Sequence, residues 1–246
     1  MPGAGWHASA RALAATSDVV ILMVPDLPQV EELLLGPDGL LAAGSDPVVA
    51  VCASVSASGL RALAARTGAR LVDAPVSGGT EGAEAGTLSI MVGGADDDVA
   101  RARPALDACG TVVHLGPLGS GEVAKACNQL IVAATMTAVA EAAVIAERSG
   151  LDVDALLGLL QGGYAGSRVL ESKRAALVAG DYRTRGAASY MVKDLRAAAD
   201  EAEATGTPAP LLAAVGEVFA EVADAGLGEL DLAVVHRLVR DRPRGA

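Results

Sequence analysis

The sequence predicts an α/β chain: an incomplete domain built on a parallel sheet, followed by an all-helical domain, the two joined by a long helix. Three observations carry this. Short β-rich runs alternate with helical stretches up to residue 116. After Gly116 the strand runs mostly stop. From residue 121 the chain keeps helical character for roughly 29 residues, or about 43 Å at the standard rise.

The elements follow in order. "DVVILMV" supplies a strand over Val19–Val24, continuously apolar as a strand covered on both faces must be. "PQVEELLLG" is a short helix stopped by glycine, and "PVVAVCAS" (47–54) is the second strand. "SASGLRALAARTGA" is a helix with Ser56 as its cap. Further strands follow at 70–75, 88–94 and 111–116. Between the last two, "DDDVARARPALDAC" forms a helix whose acidic first turn suits the helix dipole. In the second half, helices are expected near 121–149, 153–161, 166–178, 187–206, 209–224 and 229–240. The domain boundary is placed near residue 117, giving domains over 1–117 and 118–246.

Composition narrows the function. Of the 246 residues, 52% are apolar and 20% charged, which suffices for a real core and argues against disorder. With one Trp, one Phe and three Tyr, the helices are expected to pack through small side chains. The formal net charge of -11 disfavours nucleic acid and anionic membranes as partners. Cys52, Cys109 and Cys127 have no metal-ligand spacing and read as small buried thiols. No secretory signal, zinc signature or nucleophile elbow is found, so a cytoplasmic protein without a membrane span is expected. The opening "GAG" (3–5) lacks the spacing of a phosphate loop and reads as a turn before a helix. No strand precedes it; in an entire domain of this type the Val19–Val24 strand would need a neighbour, because an apolar, uncharged strand left bare is a poor edge.

Two clusters carry chemistry. Lys125, Asn128 and Gln129 stand at i, i+3 and i+4, on one side of an otherwise apolar helix. A buried ammonium must be paired or lose its proton, a tension suited to a proton donor. The alternative is a surface lysine, with the amides linking helices. The second cluster is "DAPVSGGTEGAEAGTLSIMVGG" (73–94), where a strand runs into Ser77, Gly78 and Gly79. Backbone N–H groups and a hydroxyl in such a turn can hold a carboxylate. "MVPD" (23–26) and "CASVSA" (52–57) also leave strand ends, where folds of this type bind ligands. Lys193 and Asp194 are either a solvated pair or a lysine reaching an acidic group. His114 reads as a packed neutral imidazole.

Together with "HLGPLGSGEVAKACNQLIVA" and "YMVKDLRAAADEAEATGTPAPL", the 73–94 segment resembles the β-hydroxyacid dehydrogenase family. That family includes 3-hydroxyisobutyrate dehydrogenase, tartronate semialdehyde reductase and related imine reductases. The resemblance implies a Rossmann domain, a helical domain, and hydride transfer between NAD or NADP and a small 3-hydroxy acid or its oxo form. It implies that Lys125 is catalytic and that Ser77, Gly78, Gly79, Asn128 and Gln129 bind substrate. It places Val24, Pro25, Ser54 and Lys193 against the cofactor, and implies a homodimer formed through the helical domain. Family members often carry phenylalanine where this chain has Tyr190. They also begin with a strand and a GxGxxG turn, which is not seen here. The chain therefore reads as a shortened dehydrogenase, by a late start site, a fragment or decay. It is expected to bind nicotinamide cofactor weakly or not at all as it stands, with the residue that selects NAD or NADP missing.

Overall fold

The computed structural model describes residues 5–183 and 186–243. The "GAG" turn lies mostly outside them. The first half runs α1 (Ala10–Ala14), β1 (Val19–Leu22), α2 (Leu27–Leu35), β2 (Val48–Val51), α3 (Ala57–Thr67), β3 (Leu71–Asp73), β4 (Val76–Ser77), α4 (Gly79–Ala85), β5 (Leu88–Gly93), α5 (Asp96–Asp107) and β6 (Gly110–Gly116). The long helix α6 (Ser120–Arg148) follows. Then come α7 (Val153–Gln161), α8 (Arg168–Ala179), α9 (Ser189–Ala204), α10 (Pro210–Asp224) and α11 (Val235–Asp241). The chain divides into two compact units, Met1–Lys125 and Ala126–Ala246, and the division falls inside α6.

In the first unit all four residues of β2 are buried. Val49 and Val51 join a core with Leu34, Leu60 and Leu63 of α2 and α3. Val48 and Ala50 join the opposite core with Val99, Ala102 and Leu106 of α5. Alternate residues of one strand thus feed two cores, and this is why the run is apolar without a break. β1 pairs in parallel with β2, β2 with β3, and β5 with β6, as the alternating pattern predicts. The sheet is nevertheless mixed: β5 runs antiparallel to both β3 and β4. The cause is local. Gly78 (φ 134°) and Gly79 (φ 64°) turn the chain in conformations that side chains resist, and α4 carries it back along β4. Neither β4, of two residues, nor the glycine-rich α4 shows a readable period in the sequence. β1 lies at the end of the strand order, paired with β2.

Ser56 does cap α3, its hydroxyl accepting the Gly59 N–H at 3.3 Å. The cysteines need correction: Cys52 is buried, but Cys109 and Cys127 are exposed. Burial pushes the Cys52 thiol up to about 12, with small contributions from Cys109 and Glu122. A thiol reagent at neutral pH should therefore label Cys109 and Cys127 quickly and Cys52 only on unfolding. Mass spectrometry of the labelled peptides checks this.

The second unit packs around Phe219, which is fully buried, with Met136, Leu157, Leu170, Leu177 and Val234. Ala133, Ala140 and Ala143 of α6 have no exposed surface, so the small side chains of this helix serve close packing. By length and composition α6 could also cross a membrane, a test that core helices pass too.

His236 is also fully buried. Its Nδ1 lies 2.7 Å from the Tyr182 hydroxyl, and its Nε2 lies 3.0 Å from Glu147 Oε1. Burial holds the imidazole below its usual range, although Glu147 pulls it upward. The unfolded chain therefore takes up this proton first as pH falls. The group contributes stability that is present above about pH 6.5 and lost as pH drops toward its lower native value. Urea midpoints should fall between about pH 7.5 and about pH 5.5, and His236→Gln should flatten that fall. An equal fall in the variant would remove His236 as a cause.

Candidate active site

In the first unit, the site grows from three strand ends. After β3 the chain passes through Val76 into the turn Ser77–Gly78–Gly79, with Ser77 paired to Ser89 of β5. The N–H groups of the first turn of α4 follow directly, and such groups have no acceptor within their own helix. Lys125, on α6, is half-buried, and its Nζ donates to the Val76 carbonyl at 2.9 Å. The lysine and Val76, which leads into the Ser77 turn, are 49 residues apart in the chain and are neighbours in the fold.

The start of α6 explains how the lysine is delivered there. Asp73, at the end of β3, is fully buried. Its Oδ1 accepts the Gly119 N–H at 2.7 Å and its Oδ2 accepts the Glu122 N–H at 2.8 Å. Burial raises its carboxyl above the usual range, while these N–H groups pull it down. Gly121 lets the helix reach β5: a Cβ there would stand 2.2 Å from the Met91 carbonyl oxygen. Glu122 is buried as well, and its Oε2 accepts the Val55 N–H at 3.1 Å. Val55 follows Ser54 in the segment between β2 and α3. The sequence reading missed both carboxylates, because nothing local marks a partner more than 40 residues away.

Val24 and Pro25 leave the end of β1, just before Asp26, whose side chain accepts the Leu27 N–H and caps α2. Val24 also borders a groove of about 600 Å³ with Gln29, Glu32 and Asp38. Its acidic rim makes that groove a poor seat for a diphosphate.

The remaining candidates belong to the second unit. Asn128 donates to Gln129 Oε1 at 3.0 Å. Gln129 donates to Asp194 of α9, and Lys193 Nζ donates to the same carboxylate at 2.8 Å. Asp194 is buried, so the Lys193–Asp194 pair is not a solvated one, and the Gln129 amide does link two helices. Tyr190 is half exposed rather than packed in the core.

The loops after β1 and β2, which carry Val24, Pro25 and Ser54, lie at the carboxyl edge of parallel strands, where folds of this type hold a dinucleotide. "GSGEVA" (119–124) follows β6 and opens α6, with the spacing of a phosphate-binding G-x-G-x-x-A. It does not take the diphosphate, because the Asp73 carboxylate already holds its N–H groups. Among the described residues, no group of three His, Cys, Asp or Glu side chains could hold a metal ion.

A Rossmann-type sheet followed along the chain by a helical unit is the architecture of NAD(P)-dependent oxidoreductases, and the matches to known proteins show that class here. Residues 2–116 match the model of the NAD binding domain of 6-phosphogluconate dehydrogenase. Residues 119–239 match that of the NAD-binding domain of NADP-dependent 3-hydroxyisobutyrate dehydrogenase. The chain belongs to the β-hydroxyacid dehydrogenase family. It is 36% identical over 248 residues to the NAD-dependent L-serine dehydrogenase of Pseudomonas aeruginosa, covering 96% of this chain and 83% of that protein. It is 36% identical over 228 residues to the 2-hydroxy-3-oxopropionate reductase of Escherichia coli, covering 91% and 78%. The crystal structure of a 3-hydroxyisobutyrate dehydrogenase from Salmonella typhimurium superposes with a TM-score of 0.85 at 31% identity, covering 94% and 82%.

Proposed function

We propose that the chain oxidises small 3-hydroxy acids, or reduces their oxo forms, with Lys125 as the proton-transferring residue. The contact of Lys125 with Val76, at the threshold of the Ser77 turn, carries this reading. When bound, the nicotinamide supplies or accepts the hydride. The chain's own residues do the rest. The Gly78 and Gly79 N–H groups and the Ser77 hydroxyl grip the substrate carboxylate. That grip orients the hydroxyl toward Lys125 Nζ. In oxidation Lys125 takes the hydroxyl proton; in reduction it returns it. A positive charge beside the developing alkoxide and fixed orientation supply most of the advantage. Val24, Pro25 and Ser54 would hold the nicotinamide, and the family resemblance gives Lys193 as a further cofactor contact. Asn128 and Gln129 orient substrate, and Asp194 orients Gln129 in turn.

The anion-holding turn favours acids over the imines that related reductases take. Family relatives named for 3-hydroxyisobutyrate and L-serine support the same size of substrate. A homodimer formed through the helical unit is part of the proposal, supported by the exposed Ile131, Ile145, Leu159 and Leu211. Three free thiols suit a cytoplasmic setting, and the net charge of -11 disfavours nucleic acid or a membrane as partner. Reduction of NAD and NADP should be followed with a panel of 3-hydroxy acids and their amides. Turnover of the acids but not of the amides is expected. Equal rates with both would remove the carboxylate-gripping role of the turn.

A further inference from the structure

Two carboxylates are buried at the first turn of α6, and proton transfer at Lys125 uses neither. Asp73 ties that turn to the end of β3 through the Gly119 and Glu122 N–H groups. Glu122 ties it to the segment between β2 and α3 through the Val55 N–H. Lys125 then returns to the segment after β3 through the Val76 carbonyl. The result is a closed ring of hydrogen bonds and short chain segments, with Glu122 and Lys125 one helical turn apart.

We infer that Glu122 is a positioning residue: its carboxylate locks the Ser54–Val55 segment in fixed register with Lys125, while Asp73 sets where the helix begins. Burying a carboxylate is costly, and apolar neighbours such as Ala53, Val55 and Leu118 already supply packing in this core. What the carboxylate adds is a directional bond to one N–H at a defined distance. The consequence for catalysis rests on the reading that Ser54 faces the nicotinamide and Lys125 the substrate hydroxyl.

Two variants separate this from a general loss of structure. Glu122→Gln keeps an oxygen for the Val55 N–H; Glu122→Leu does not. In hydrogen–deuterium exchange on the full chain without cofactor, the 52–57 segment should exchange about tenfold faster in Glu122→Leu. It should be close to wild type in Glu122→Gln, and the α6 core around Ala133–Ala143 should be unchanged in both. In turnover assays Glu122→Leu should lower kcat more than it raises KM for the acid, and Glu122→Gln should restore kcat. Unchanged exchange over 52–57 in Glu122→Leu, or a rise spread evenly over the whole first unit, would overturn the inference. So would a kcat equal to wild type. Activity retained by Lys125→Ala would instead strike the catalytic reading, leaving the exchange result to stand by itself.

Discussion

Lys125→Ala should lower turnover by about 10²- to 10⁴-fold, the range that a positioned acid–base group supplies. The fold should survive, because Lys125 is half-buried and water can replace its bond to Val76. Lys125→Arg should not rescue the rate. A guanidinium can neither take up nor release a proton in the accessible range, and its planar fork does not reproduce the point charge of an ammonium. Steady-state kinetics beside thermal melts of both variants check this. A rate within about tenfold of wild type in Lys125→Ala would place the proton transfer elsewhere.

Gly121→Ala should be the most damaging small substitution near the site. The added Cβ would stand 2.2 Å from the Met91 carbonyl oxygen and 2.9 Å from Asp73 Oδ2. Neither neighbour yields easily: one is backbone in β5, and the other is a buried carboxylate held by two N–H groups. The start of α6 must shift, at a cost of about 3 kcal/mol. Any displacement passes along the helix to Lys125, where a 1 Å error can cost about a hundredfold in rate. Gly216→Ala in α10 is the control, since a Cβ there meets nothing within 4 Å. It should be neutral or stabilising by about 0.4–1 kcal/mol. Chemical denaturation of the two variants measures the contrast. Equal stability would mean that α6 does not need its close approach to β5.

The parts of this fold that the sequence discloses are those whose cause is local. "PVVAVCAS" is apolar at every strand position because both faces of β2 are covered. The length of α6 follows from an unbroken helical run, and the Ser56 cap from its place before an apolar period. Lys125 stands out as a charge in that run. The parts that stay hidden depend on partners far along the chain. Asp73 lies 46 residues from the Gly119 N–H it accepts, and Asp194 lies 65 from Gln129, so neither role leaves a motif. Cys127 and Cys109 sit among apolar neighbours in the sequence yet are exposed, because composition does not tell which side of α6 is covered or that Cys109 falls in the turn after α5. The antiparallel return of β5 is set by two glycine dihedrals, and the sequence offers only the permission for them.

For the proposed reaction a small acid must lie with its carboxylate on the serine–glycine bend and its hydroxyl on the lysine. A crystal structure of the chain soaked with a 3-hydroxy acid tests that arrangement directly. It should show carboxylate oxygens within hydrogen-bond distance of the Gly78 and Gly79 N–H groups or the Ser77 hydroxyl, and the hydroxyl oxygen on Lys125 Nζ. An acid bound with its carboxylate on Lys125 and its hydroxyl turned away, or bound apart from that bend altogether, would contradict it.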